Sequence, residues 1–282
     1  MKILEFTLPD NANIFLIGDR HKGSSFSSDS DWEKAINKIL SEYEGVEENF
    51  VVDHGDIIEG IAIDDPRYDP LEHKDSVLKQ IGDAIKDYFP IRKNIITILD
   101  GNHPKKLSKR FGDITKHICY ELNVPYGTWS SHITYKDMEG NTMFKHFATH
   151  GRKMITTTVT DTARRKDNLK DSLRKSLSHK FGDCLLMSRG HSHKIVKSEP
   201  AKKLYLYADE NGIHQGYKSF GDTPFIDPSQ RYYASTGSFF KLYGEDGSVS
   251  YAEEFDYDPI EIGFIIAKIR DRQLIELDEI TL

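Results

Sequence analysis

Arg189-Gly190-His191-Ser192-His193 is the stretch from which the rest of the chain is read. Two histidines flank one small residue, directly behind the apolar run Cys184-Leu185-Leu186-Met187. Alone, a His-x-His pair says little, because surface loops and core histidines give the same pattern. Four upstream runs share its build: Gly18-Asp19-Arg20-His21, Gly55-Asp56, Gly101-Asn102-His103 and His150-Gly151 each follow an apolar, strand-like segment. Five short runs of Asp, Asn and His, all behind strand-like segments, are hard to assign to chance.

These residues offer nitrogen and oxygen donors and no thiolate. Such a set suits Mn, Fe, Zn, Co or Ni better than Mg or Ca, which prefer oxygen throughout. The candidate metal ligands are Asp19, His21, Asp56, Asn102, His150, His191 and His193. They are too many for one ion and about right for two, provided one carboxylate is shared. Gly18, Gly55, Gly101 and Gly190 let the backbone turn tightly beside the ligands.

The chain has 282 residues, enough to bury a full core as a single domain. Apolar residues at 38% and aromatics at 11% suit a globular fold. Residues 1–9 lack the basic flank and apolar block of a signal peptide, and no run approaches a membrane span. Cys119 and Cys184 lie in unrelated segments and read as reduced core residues, which fits a cytoplasmic protein.

Apolar, β-prone runs predict strands at 13–17, 50–52, 94–99, 132–136, 142–148, 184–187, 194–197, 204–207, 232–236, 248–251, 260–269 and 274–277. Residues 156–160 read as a loop or an edge strand. Helical spacing predicts helices after a Ser30/Glu33 capping box, over 74–88, over 105–122 with Phe111 on its inner face, and over 163–177. Strands alternating with helices, then mostly strands, predict an α/β fold of two packed sheets with helices outside. The expectation is one domain over 1–282, with 200–282 completing the second sheet.

Taken together and in this order, Asp-x-His, Gly-Asp, Gly-Asn-His, His-Gly and Gly-His-x-His resemble the calcineurin-like metallophosphoesterase superfamily. The motifs run from Asp19 to His193. The resemblance implies a four-layer α/β/β/α sandwich of two mixed sheets flanked by helices. It implies two divalent transition-metal ions, Mn foremost. Asp19, His21, Asp56 and His193 would hold the first ion, and Asp56 would bridge to a second held by Asn102, His150 and His191. Two ions so placed share a hydroxide and clamp an in-line displacement at phosphorus. His103 would be the catalytic acid or transition-state donor near the leaving oxygen.

Two positions depart from the pattern. Pro104 stands where the superfamily usually has the carboxylate that orients the histidine. Asp53-His54 stands where an apolar pair is commoner; Asp53 reads either as a partner of a ligand histidine or as a solvated loop residue. Glu59 reads as a helix-start residue or as a partner to a ligand. His117, His132, His146 and His179 carry no matching spacing and read as surface or core residues.

The net charge of -7 is unevenly spread. Residues 145–200 carry 13 Lys and Arg against 5 Asp and Glu, leaving the remainder strongly acidic. Lys105, Lys106, Lys109 and Arg110 cluster behind His103. Basic surface beside a phosphate site attracts polyanions, so Lys105, Lys106, Arg110 and Arg152 are candidate substrate contacts. The leading expectation is a metal-dependent phosphodiesterase acting on nucleic acid. The alternatives are a phosphoesterase for a nucleotide or other small ester and, ranked last because every ligand position is filled, a catalytically silent scaffold.

Overall fold

The computed structural model describes residues 1–70, 72–73, 75–201, 205–210, 212–216, 225–243, 249–250, 253 and 259–282. Its layering follows from alternation along one strand. After β1 (Lys2–Thr7), the apolar strand β2 (Ala12–Ile17) is buried throughout. Phe15 and Ile17 enter one hydrophobic core, while Ile14 and Leu16 enter another. Successive side chains of a strand point to opposite faces, so β2 is covered on both sides.

One side is covered by helices. β2 runs parallel to β3 (Asn49–Asp53), and β3 runs parallel to β4 (Ile95–Ile98). Against their outer face pack α1 (Asp29–Leu40), α2 (Val77–Tyr88), α3 (Asn102–Phe111) and α4 (Ile114–Leu122), through Trp32, Ile81, Leu107 and Ile118. The other side meets a second sheet built from β5 (Ser130–Lys136), β6 (Thr142–Thr149), β7 (Leu186–Arg189) and β8 (Ile195–Ser198). Between β6 and β7 lies α5 (Thr162–Leu177), whose Leu173 and Leu177 cover the outer face at Phe147, Met187 and Tyr233. After a separate hairpin of β9 (Tyr205–Asp209) and β10 (Gly212–Gly216) come β11 (Tyr232–Thr236), β12 (Gly263–Arg270) and β13 (Gln273–Thr281).

The large sheets have the orders β1-β5-β6-β7-β11-β8 and β13-β12-β2-β3-β4, and both mix parallel with antiparallel pairs. The architecture is thus α/β, two mixed sheets flanked by helices in four layers. The C-terminal strands do not all join the second sheet. β11 enters the six-stranded sheet, whereas β12 and β13 form one edge of the five-stranded sheet.

Several local expectations shift. Helix α1 is capped by Ser28, not Ser30; Ser28 Oγ accepts from the Asp31 N–H at 3.4 Å and donates to the Asp31 carboxylate at 2.6 Å. Helix α2 starts at Val77 on a Ser76 cap, three residues late. The single helix expected over 105–122 is two. Gly112, with φ 75, ends α3, and Asp113 caps α4, so Phe111 faces solvent. Residues 156–160 form no strand. β7 starts two residues later than expected, placing buried Cys184 just before it. Residues 204, 248 and 251, part of the expected strands at 204–207 and 248–251, lie outside the described residues. Among the described residues no helix is long and apolar enough to cross a membrane.

A buried polar chain ties the two sheets together. His54 Nδ1 lies 3.0 Å from the Ile17 carbonyl, so it carries the proton and Nε2 is an acceptor. Ser188 Oγ, 2.6 Å away, therefore donates to His54 Nε2 and accepts from His146 Nε2 at 2.6 Å. His146 Nδ1 is then free to accept from the Tyr135 hydroxyl at 3.2 Å. Every donor in this chain meets an acceptor. Burial lowers His54 to a pKa of about 4 and holds His146 well below its ordinary value, so both rings are neutral.

Candidate metal centre

Five strand-to-loop turns deliver the candidate ligands to one edge of the sandwich. β2 leads to Asp19 and His21, β3 to Asp56, β4 to Asn102 and His103, β6 to His150, and β7 to His191 and His193. The carboxyl ends of strands are the common place for a site in an open α/β sheet. The backbone there is held in an unusual form. Asp19, His21, Asp56, His191 and His193 all have φ between 50 and 69°, and they make up half of the ten non-glycine residues with positive φ among those described. Left-handed backbone at such residues costs on the order of 1–3 kcal/mol each and concentrates at functional sites.

The donors gather in two groups, Asp19 with His21 and His193, and Asp56 with His150 and His191, each with donor atoms within 4.8 Å of one another. In the first, Nε2 of His21 faces Nε2 of His193 at 3.2 Å, and Asp19 Oδ1 lies 3.4 Å from His193 Nε2. Asp19 Oδ1 is fully buried and has no hydrogen-bond partner. In the second, His150 Nε2 lies 3.2 Å from Asp56 Oδ2 and 2.9 Å from Asn102 Oδ1. All seven candidate ligands are therefore brought together. His191, His193 and Asn102 are partly exposed and mark the open side; the other four are buried.

Two glycines leave room that a side chain would fill. A Cβ at Gly101 would sit 2.0 Å from Asp56 Oδ1, and one at Gly190 would sit 2.9 Å from Asp19 Oδ2. The second contact accompanies a hydrogen bond from the His191 N–H to Asp19 Oδ2 at 2.9 Å.

The ring orientations suit ligation. His21 Nδ1 donates to Glu59 Oε2 at 2.6 Å, and His150 Nδ1 donates to the His54 carbonyl at 2.6 Å. Each leaves Nε2 turned into the cluster, the arrangement that fixes a metal-binding tautomer. Burial lowers the pKa of His21 in spite of Glu59. Burial, then the charge of His150, lowers His191 to about 4. Burial opposes ionisation of Asp56 too, yet His150 and His103 beside it hold its carboxyl far below the ordinary range. The Asp56 charge outweighs burial at His150 and raises that ring to about 9. A buried cluster of this kind takes up protons where no cation neutralises the carboxylates.

His103 lies at the start of α3, its ring edge-on to His21 with centroids 4.6 Å apart. Its backbone N–H donates to Asp56 Oδ1 at 2.9 Å. Pro104 leaves no acid beside it, but Glu59 fills that role from another loop. His103 Nδ1 donates to the Glu59 carbonyl at 2.6 Å, with Glu59 Oε1 at 3.2 Å. The charges of Glu59 and Asp56 overcome burial and raise His103 to about 9. Glu59 is not a helix-start residue: it is fully buried outside any helix and holds both His21 and His103. The only sequence sign was an acid three residues after Asp56, a spacing that helix starts also show.

Asp53 matches neither reading given for it. It is fully buried, and its carboxylate accepts from the Tyr88 hydroxyl at 2.6 Å and the Gly55 N–H at 2.7 Å. Burial raises its pKa to about 7. The candidate substrate contacts fare unevenly. Lys105 lies 3.3 Å from Asp100, and Arg110 is paired with Asp64. Lys106 and Arg152 are exposed.

No protein-family model matches the chain, and no curated protein matches it. Among solved structures it is similar to the Haemophilus influenzae NAD nucleotidase (NadN), with 11% identity and a TM-score of 0.37, over 96% of this chain and 50% of that one. It is also similar to a Saccharomyces cerevisiae protein serine/threonine phosphatase with similarity to human phosphatase PP5, with 13% identity and a TM-score of 0.27, over 75% of this chain and 57% of that one. The chain thus spans about half the length of these structures. A functional reading rests on the geometry of the site itself.

Proposed function

We propose that the chain is a metal-dependent phosphodiesterase of the calcineurin-like type, acting on nucleic acid. The observation that carries this reading is the pair of nitrogen and oxygen donor groups at one sandwich edge, with a buried Asp19 oxygen left unpartnered. An uncompensated buried carboxylate oxygen is costly, and a divalent cation is the natural counter-charge. Asp19, His21 and His193 would hold one ion and Asn102, His150 and His191 the other. Asp56 is the candidate bridge, and its carboxylate feels the charges of His21, His103 and His150. Two such ions, Mn foremost, would supply Lewis acidity and activate water.

The chain's own residues would do the remainder. Hydrolysis adds water across a P–O bond, and the departing oxygen needs a proton. His103, held by Glu59, would give it. The first turn of α3 adds partial positive charge on the same side, which favours an arriving phosphate. Substrate would enter past His191, His193 and Asn102, the partly exposed members of the cluster.

The choice of nucleic acid is supported by a groove of about 520 Å³ between α5 and β8, lined by Arg165, Lys166, Lys170, Lys194 and Lys197 with Glu261 and Glu279. It begins one residue beyond His193. The pairing of Lys105 with Asp100 and of Arg110 with Asp64 favours the second reading, a nucleotide or other small phosphate ester, because it removes two cations from the polyanion path. A cytoplasmic location is supported by the buried free thiols of Cys119 and Cys184. The Mn-loaded protein should be tested against single-stranded DNA, duplex DNA, RNA, nucleotides and simple monoesters. Cleavage of a polymer that weakens steeply with salt is expected. Turnover of small esters alone would replace the substrate assignment, and no turnover of any ester would remove the enzyme reading.

A further inference from the structure

Behind His21 and His103, on the side away from the two donor groups, a third set of donors converges. Glu59, Glu72 and His73 are 0%, 5% and 3% exposed. His73 Nε2 lies 3.5 Å from Glu72 Oε1 and 3.9 Å from Glu59 Oε1. All three donors fall within 4.8 Å of one another. Neither His73 Nε2 nor Glu59 Oε1 has a hydrogen-bond partner, though both are buried.

The other atoms of each member hold it in place. Glu59 Oε2 is taken by His21 Nδ1 at 2.6 Å, and Oε1 lies between His103 Nδ1 at 3.2 Å and His73 Nε2 at 3.9 Å. Ser24 Oγ donates to Glu72 Oε1 at 2.9 Å. His73 Nδ1 lies 3.1 Å from the main chain of Asp69, and its ring stacks on Tyr68 with centroids 5.8 Å apart. His73 Nε2, Glu59 Oε1 and Glu72 Oε1, the last also accepting from Ser24, converge on one another.

We propose that Glu59, Glu72 and His73 hold a further divalent transition-metal cation, distinct from any held by Asp19, Asp56 and their partners. Two carboxylates and an imidazole are a donor set of the Mn, Fe, Zn or Co kind. Donors around a tetrahedral ion of this size lie about 3.4 Å apart, so closure needs only a small inward movement. The ion compensates two buried acids without drawing on the front cluster. Bound to Glu59, it would also steady the carboxylate that holds His21 and His103, so its loss should loosen both rings.

The test counts bound metal on the full chain. The protein is saturated with Co²⁺ or Mn²⁺, passed through a desalting column, and assayed for metal by mass spectrometry and for Co²⁺ by its visible absorption. Wild type should retain roughly one ion per chain more than either Glu72→Gln or His73→Gln, each checked for folding by circular dichroism. His191→Ala should disturb the front cluster and leave this ion in place. Equal metal content in wild type and both folded variants overturns the proposal and puts a proton on His73 in the cation's place. A wild-type count of two, lost only with Asp56→Asn and His191→Ala, overturns it while leaving the phosphodiesterase reading intact. The wild-type Co²⁺ titration end point decides the matter even if a variant fails to fold.

Discussion

Two polar groups meet at His54, one through its ring and one through its carbonyl, and differ in how they are satisfied. Behind it, Tyr135, His146, Ser188 and His54 form a line in which each proton has one acceptor. In front, His21 and His193 meet nitrogen to nitrogen, and Asp19 Oδ1, 3.4 Å from His193 Nε2, completes no hydrogen bond. Both groups are rich in histidine and sit at or beside strand ends. The rear group is complete without a ligand and so serves to lock one sheet on the other. The front group is incomplete, and its gaps are turned inward to a shared space. Histidine content therefore says little about function; the tally of donors against acceptors says more.

That contrast can be broken most severely at Asp56. Asp56→Asn should lower turnover at least about 1,000-fold, roughly 4 kcal/mol of transition-state stabilisation, and weaken metal retention. Near wild-type kcat would remove Asp56 as the shared carboxylate. Ser188→Ala should do the opposite. It strands His54 Nε2 and the His146 N–H, costing about 2–5 kcal/mol in denaturant unfolding, with metal content unchanged. A loss under about 0.5 kcal/mol would mean the rear line is not structural. His103→Ala should lower turnover about 100-fold and leave metal bound. Metal loss there would make His103 a ligand.

The smallest effect is expected at Asp53, a carboxylate that belongs to neither group. Its folded pKa is raised to about 7 from an ordinary 3.8. Its contribution to stability is therefore fully present below pH 4 and is lost as the pH rises through 7. Asp53→Asn keeps an acceptor for the Gly55 N–H and offers a donor to Tyr88. It should stabilise the protein at pH 8, by no more than about 4 kcal/mol, and not at pH 3.5. A gain independent of pH would show that charge is not the cause.

The front group was legible in the sequence because each candidate ligand stands close behind a strand end, so short motifs mark it without knowledge of the fold. The rear line was not legible. His54 and Ser188 are 134 residues apart, and nothing local marks either as a partner of the other. Glu59 was ambiguous because its partners come from two other loops. The break after Phe111 was missed because the apolar spacing of α3 continues in phase into α4, and only the left-handed Gly112 ends the first helix. The cap of α1 was misplaced because Ser28 with Asp31 and Ser30 with Glu33 offer the same three-residue spacing.

The twisted main chain at Asp19, His21, Asp56, His191 and His193 also limits how this protein could change over time. β-Branched residues fit such conformations badly, whereas glycine and asparagine enter them readily. A lineage abandoning the proposed metal site should accumulate Gly and Asn at these places long before Val, Ile or Thr. Such replacements would relax the loops even as they silence them, so that a retired copy of this protein could outlast its working ancestor on heating.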